Sequence, residues 1–288
     1  MDILIIGILL GGTYALMAMG LQLQYGVARI MNLANGEILI AGAFGTFWFF
    51  TSYALSPFWA LVFVVPGAFV INWLIYRYLM MPLVRRAKTQ GHLEVDSILS
   101  TFGISFIFIG ILLAMFGGDY LNYSYFDEAF VILGGNYGLN RVIAFVVAAL
   151  LSATLYIWLI QTRAGLTLRA VAVNSTAARL VGIKVSTASA LAFALGGSIT
   201  ASGGMLLSMF LTFDASLGVI FTLKALVIVI MGGVSDIRGT ILAAFILGFA
   251  ETAVAVLIDP GLTLAAAYLL FLIVLLVRPE GIFGRRPA

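Results

Sequence analysis

The sequence predicts an all-α polytopic membrane protein, a bundle of about eight or nine transmembrane helices forming one domain over residues 1–288. Three observations carry this. Apolar residues make up 63% of the 288 and charged residues only 9%, which cannot give a soluble domain a polar surface. The apolar residues gather into runs of roughly membrane-spanning length. The basic residues gather in the connections between those runs, as expected of loops held back from translocation.

The chain opens with MDILIIGILLGGTYALMAMGLQLQYG, an apolar run without a basic leader, expected as a retained span rather than a cleaved signal. Further runs follow at Ile38–Ser52, Phe58–Tyr76, Ile98–Phe116, Val142–Ile160, Ala188–Phe210, Leu217–Met231, Thr240–Ile258 and Thr263–Val277. Several are near or below the roughly 20 residues that cross a bilayer unaided. Eight spans with one re-entrant or broken segment therefore fit as well as nine.

Three basic clusters are expected on the cytoplasmic side: Arg77, Arg85, Arg86 and Lys88; Arg163 to Lys184; and Arg278, Arg285 and Arg286, which puts the C-terminus inside. The Gly117–Asn140 connection instead carries Asp119, Asp127 and Glu128 among Tyr120, Tyr123, Tyr125 and Phe126, as expected of an outer interfacial segment. Nine crossings then put the N-terminus outside.

The most informative connection is Thr162–Lys184, TRAGLTLRAVAVNSTAARLVGIK, which holds four cations and no carboxylate. Leu166, Ala170, Val173, Ala177 and Leu180 recur at the spacing of one helical stripe, with Arg169, Thr176 and Arg179 on another. A short amphipathic helix is expected there, lying on the membrane or docking on a soluble partner. A plain solvated topogenic loop is the competing reading.

Composition also excludes function classes. The net charge of +3 reflects basic loops rather than a nucleic-acid footprint. Without cysteine there is no thiol chemistry or disulfide, and His92, the single histidine, builds no zinc site alone. The chain contains no G-x-x-x-x-G-K-[ST], H-E-x-x-H, G-x-S-x-G or C-x-x-C, and no convergent acid, base and nucleophile set. It is expected not to be an enzyme, to hold no cofactor, and to leave any use of ATP and magnesium to a partner.

Glycine pairs at Gly11–Gly12, Gly117–Gly118, Gly134–Gly135, Gly196–Gly197, Gly203–Gly204 and Gly232–Gly233 suit close helix packing in lipid, or turns. No tandem repeat is evident, although transporter folds often hide inverted ones. Ionisable groups inside apolar runs need a reason, since each costs roughly 2.5 to 3.5 kcal/mol on insertion scales. Glu37, Lys224 and Glu251 are such groups. A Lys224–Glu251 ion pair between neighbouring helices is the economical explanation, and a pathway role the alternative. The stretch Asn32-x-x-Asn35-Gly36-Glu37 reads as a break between apolar segments, tolerated where it faces protein or a wet cavity. An ordinary turn after Arg29 is the other possibility.

Four blocks taken together carry a resemblance: YGVARIMNLANGEILIAGAFG at Tyr25–Gly45, TRAGLTLRAVAVNSTAARLVGIKV at Thr162–Val185, KALVIVIMGGVSDIRGTILAAFILGFAET at Lys224–Thr252, and RPEGIFG at Arg278–Gly284. Their order, over nearly the whole chain, resembles the H-type permease subunit of branched-chain amino-acid ABC importers. The resemblance implies a bacterial inner-membrane permease that forms half of a translocation pathway. Its implied partners are a second, homologous permease, two cytoplasmic ATPase subunits and an external solute-binding protein, with a small amino acid as cargo. It further implies that the loop at about 162–185 is a coupling segment seated in an ATPase groove, with Gly165, Arg169, Ala170, Asn174, Ala177, Ala178 and Gly182 at matching positions. Related permeases serve urea and short amides, so the machine is better defined than its cargo.

Two departures stand out. The family usually has histidine where this chain has Asn35, and a G-S-I-P-G-like loop where Gly232-Gly233 is followed by Val234-Ser235-Asp236-Ile237-Arg238-Gly239; Asp236 and Arg238 then become a candidate ion pair. Candidate polar pathway residues are Thr13, Tyr14, Gln22, Asn32, Asn35, Glu37, Thr101 and Ser105. A stand-alone gradient-driven carrier or channel is the competing reading, with Glu37 and Glu251 as its ion sites.

Overall fold

A computed structural model describes residues 2–87, 89–132, 135–234 and 236–284. Lys88, Gly134, Ser235, Arg285 and Arg286, used in the sequence reading, lie outside them. All nine apolar runs are helical: α1 Asp2–Ala28, α2 Asn35–Tyr53, α3 Pro57–Ile75 (continued by a π-helical turn at Tyr76–Met80 and by α4 Met81–Arg86), α5 Gln90–Phe116, α6 Leu139–Gln161, α9 Val185–Ser208, α10 Gly218–Gly232, α11 Ile237–Leu257 and α12 Thr263–Val277. The island adds α7 Arg163–Val173 and α8 Ser175–Leu180.

Seven of these helical rods are long and apolar enough to cross a membrane. The other two apolar helices are α2, which opens with Asn35, Gly36 and Glu37, and α10, whose 15 residues reach only ~22 Å at 1.5 Å per residue, short of a hydrocarbon core of about 30 Å. In the most apolar stretch of each helix, 83% of residues are buried in α9 and 67% in α1, against 6% in α12. The centre is therefore α1 with α9, and the outer helices present leucine, valine and phenylalanine where lipid would lie.

Small residues set the central crossing. A Cβ on Gly20 would lie 2.5 Å from the Gly196 carbonyl oxygen, and one on Gly196 2.5 Å from that of Gly20. Gln24 reaches back to the Phe193 carbonyl at 3.1 Å, and Gly203 packs near Met17, so the two helices run antiparallel. In lipid no hydrophobic force drives helices together, and backbone approach of this kind supplies the packing.

The packing is reciprocal about this crossing. α11 lies on α1, with Gly248 against Gly7 and Gly11, while α3 lies on α9, with Asn72 against Gly197. α2 lies on α9 through Gly42 against Ala201 and Gly204 against Leu39, and α10 reaches α1 through Lys224 and Tyr14. α2 and α10 meet each other at their first turns, Gly36 against Gly218. The units α1–α2–α3 and α9–α10–α11 thus exchange roles with opposite chain direction, as an inverted repeat requires. Residue identity does not repeat, and only the backbone path and the small residues at crossings do.

The bundle ends sort into two faces. Tyr137 donates to Asp2 at 2.6 Å, placing the chain start beside the 117–140 connection; the Asp2 carboxylate raises that phenol above its ordinary pKa. That connection contains a hairpin the sequence reading did not anticipate, β1 Ala129–Ile132 paired antiparallel with β2 Gly135–Gly138. It also meets the α9–α10 connection through a Leu121–Phe213 bridge and the end of α9 through a Tyr123–Ser208 hydrogen bond of 2.8 Å. On the opposite face Arg29 donates to the Ala172 carbonyl at 3.0 Å, and Ile282 donates to that of Met231 at 2.8 Å. The chain end and the island therefore share one face.

The Asp236–Arg238 pair is corrected. The Asp236 side chain accepts from the Arg238 backbone N–H at 2.9 Å, capping α11, while the guanidinium Nε donates to Tyr156 at 2.6 Å. An Asp two residues before an N–H satisfies a helix-end donor more readily than it reaches a long side chain.

We expect Gly204→Ala and Gly20→Ala each to destabilise the protein by about 1–3 kcal/mol, because their Cβ atoms would overlap backbone. Gly110→Ala, in open space on α5, should be neutral or stabilising by up to ~1 kcal/mol. Thermal unfolding in mild detergent reads the order, and equal midpoints for the three would refute the close contacts of α9 with α1 and α2.

Candidate pathway core and coupling surface

Two short helices that start within the bundle leave a connection before each, and polar side chains hold both. Arg29 takes positive φ (56°), turning the chain out of α1. Asn32 then donates to Gln24 at 2.9 Å and accepts from the Ala34 N–H at 3.0 Å. Thr101 on α5 accepts from the Leu33 N–H at 3.0 Å and lies 3.2 Å from the Met31 carbonyl as donor. Thr222 on α10 accepts from the Gly36 N–H at 2.8 Å and donates to the Leu33 carbonyl at 3.1 Å. Thr200 on α9 donates to Asn35 at 2.9 Å. A non-helical segment buried in the bundle needs these partners, since no water or lipid would replace them.

Of the eight candidate pathway residues, the structure thus brings Asn32, Asn35, Glu37 and Thr101 together around this connection. All four are buried, at 2% exposure or less. Glu37 stands apart because neither carboxylate oxygen has a hydrogen-bond partner. Thr13 and Ser105 bond within their own helices, to the Leu10 and Phe102 carbonyls. Gln22 sits elsewhere, donating to the Val234 carbonyl at the α10–α11 turn. Gln24, Thr200 and Thr222 hold the break and were absent from the sequence candidates; hydroxyls inside apolar runs on α9 and α10 were the available signal.

Tyr14 belongs to a second cluster. Lys224 Nζ lies 2.8 Å from Glu251 Oε2 and donates to the Tyr14 hydroxyl at 2.7 Å, while that hydroxyl donates to Glu251 Oε2 at 2.8 Å. The triangle ties α1, α10 and α11 together, with the two charged side chains 11% and 3% exposed. Each charge is costly alone in this setting, so the pair holds because both are present and the phenol adds a third side.

The coupling candidates divide. Gly165 is buried against the Leu159 backbone, where a Cβ would overlap, and Ala178 is also buried. Arg169 is exposed, and its guanidinium donates to the Ile160 carbonyl at 3.1 Å, bracing α7 on the end of α6. Ala170 is half-buried. Asn174 breaks the expected single helix in two, its side chain accepting from the Ala177 N–H at 2.9 Å as the cap of α8. Gly182 has φ 84° and turns the chain toward α9.

The expected apolar stripe is left uncovered by the bundle, which covers a second apolar face instead. Leu168 and Val171 face the bundle, whereas Leu166, Val173, Leu180 and Val181 are 60%, 85%, 86% and 75% exposed. Helical spacing identified a stripe but could not tell which of two apolar faces is covered. The exposed one lies among Arg163, Arg179 and Lys184.

Removing one partner of the buried pair should cost about 3–5 kcal/mol. Glu251→Gln is therefore expected to lower the unfolding midpoint strongly, and Lys224→Met added to it should recover most of the loss. A double variant no more stable than the single one would show that the two charges do not support each other.

Comparison with known proteins agrees with this arrangement. Residues 3–277 match the family described as branched-chain amino acid transport system / permease component. The chain is 29% identical over 297 residues to the Escherichia coli (strain K12) high-affinity branched-chain amino acid transport system permease protein LivH, covering 97% of this chain and 94% of the relative. It is 27% identical to the corresponding permease BraD of Pseudomonas aeruginosa, over 98% and 95%. It is also 27% identical to a probable LivH of Methanocaldococcus jannaschii, over 82% and 75%. With several helices fit to cross a membrane and a family match over almost its whole length, the chain is a multi-pass membrane protein belonging to the branched-chain amino acid transport permease family.

Proposed function

We propose that this chain is the permease subunit of an ATP-driven importer for branched-chain or related small amino acids. In this reading it forms half of the pathway beside a second, homologous permease. The basic face is cytoplasmic and the C-terminus with it, in a bacterial inner membrane. An external solute-binding protein delivers cargo to the Asp2 and Tyr137 face. Two ATPase subunits bind the nucleotide and magnesium, for which this chain carries no motif.

The observation that carries the reading is the exposed apolar face of α7 and α8. Four large aliphatic side chains there are exposed, bordered by cations and fixed to the bundle by short-range bonds. An aliphatic patch on a braced helix suits a groove on a soluble partner. Its bracing suits force transmission. α7 is held to α6 by Arg169, by Gly165 and by the Thr162 cap, and to α1 by Arg29. Arg29 is the first residue after α1 and leads straight into the connection that positions α2. A rigid-body push on α7 would therefore reach the α2–α10 contact through a few residues, as a switch between two packings of the bundle requires.

Val173→Glu combined with Leu180→Glu is expected to lower ATP-driven leucine uptake at least ten-fold in proteoliposomes of the full complex. Insertion and thermal stability should not change, since both side chains are exposed. Wild-type uptake in that variant would sink the docking assignment. Purification of the chain from native membranes tests the machine itself. Recovery with a Walker-motif ATPase and a second permease supports it, whereas a chain recovered alone and transporting without ATP would overturn it.

A further inference from the structure

Among the described residues, Glu37 is the buried side chain with two polar atoms left without a partner, where Asn35, Gln22, Asn72, Ser152 and Glu251 each leave one. It is 0% exposed, and both of its carboxylate oxygens are without a hydrogen-bond partner. Buried polar groups are nearly always paired, and a buried carboxylate most of all. Glu37 lies in the first turn of α2 and packs against the first residue of α10, with its Cδ 3.0 Å from where a Cβ on Gly218 would sit. The carboxylate therefore lies beside the first turns of two helices of 19 and 15 residues, and helix N-terminal ends favour negative charge.

Among the described residues no cation pairs with Glu37. Lys224 lies six residues along α10 from Gly218, about 9 Å by helical rise, and its ammonium is engaged by Tyr14 and Glu251. The position is also central. Gly36 and Gly218 meet where the two inverted units cross, and the carboxylate lies at that contact. Only glycine at 218 allows the carboxylate in, and only glycine at 36 allows α10 so close.

We propose that Glu37 receives the primary ammonium group of the transported solute at the meeting point of α2 and α10. This rests on the amino-acid importer reading above and assigns that pathway a polar anchor. An ammonium offers three donors to two vacant acceptor oxygens, and it neutralises the carboxylate as α2 and α10 separate. The contact then holds the solute only while the bundle is between its closed packings, as a pathway with delivery from outside needs.

The test uses the full complex in proteoliposomes with its solute-binding protein and L-leucine. Glu37→Gln keeps the shape and removes the charge. The variant should assemble with an unfolding midpoint equal to or above wild type, because a buried unpaired charge has gone. It should retain ATP hydrolysis stimulated by the loaded binding protein, and lose leucine uptake by about ten- to a hundred-fold, the value of a charge-assisted hydrogen bond. Glu37→Asp should restore part of the uptake. Uptake within two-fold of wild type in Glu37→Gln overturns the assignment, as does a lowered midpoint with hydrolysis and uptake falling together, which marks a packing role. A wild-type complex that takes up no leucine with ATP overturns the importer reading as well, and is thus distinguishable from failure of the Glu37 assignment alone.

Discussion

The close antiparallel contact of α1 and α9 is the constraint on which the remaining structure depends. Gly20 and Gly196 leave no room for a side chain on either helix, so the two backbones touch near the middle of α9. α3 runs past this level with Asn72 against Gly197, whereas α2 and α10 begin beside the crossing. Their connections must then satisfy backbone groups inside the bundle, which is why Asn32, Thr101, Thr200 and Thr222 are buried and bonded there.

That geometry explains how polar residues are distributed. Thr200 packs against Gly20 and Gln24 against Gly196, and each also bonds to the connection between α1 and α2, Thr200 through Asn35 and Gln24 through Asn32. The same side chains serve the crossing and the break. Lys224 and Glu251 do different work at a distance from it, closing α10 and α11 onto α1 through Tyr14. The bundle therefore has a glycine-packed crossing, a hydrogen-bonded break and an ionic tie, each holding a different set of helices.

Much of this was legible in the sequence because lipid imposes simple rules. A long apolar run has few alternatives to a helix, and a charge within one demands a reason, so the helices of the nine apolar runs and the Lys224–Glu251 pair could be read directly. Helix ends were less visible. α5 begins at Gln90, eight residues before its apolar run, because a helix can extend beyond the apolar layer with Thr89 as its cap. The island was read as one stripe because spacing cannot show that Asn174 prefers to cap a new helix, nor which apolar face the bundle covers. Gly218 gave no signal at all. A glycine at the head of an apolar run looks like any other, and its meaning lies in Glu37, which is remote in sequence and adjacent in space.

The basic face of the bundle is joined to its centre by a short path, and this bears on how a shove at that face could matter at the centre. α7 is fixed to Arg29, and between Arg29 and the first turn of α2 stand only the residues from Ile30 to Ala34. Ile30 and Ala34 are fully packed, and the N–H groups of Leu33 and Ala34 are bonded to side chains. Such a segment has little slack to absorb displacement. Packed interiors change by switching between arrangements rather than by yielding gradually. A shift of α7 therefore either leaves the connection in place or moves it with the start of α2, and α2 cannot move there without leaving Gly218. The contact that buries Glu37 is thus the one to which displacement of the basic face is most directly tied.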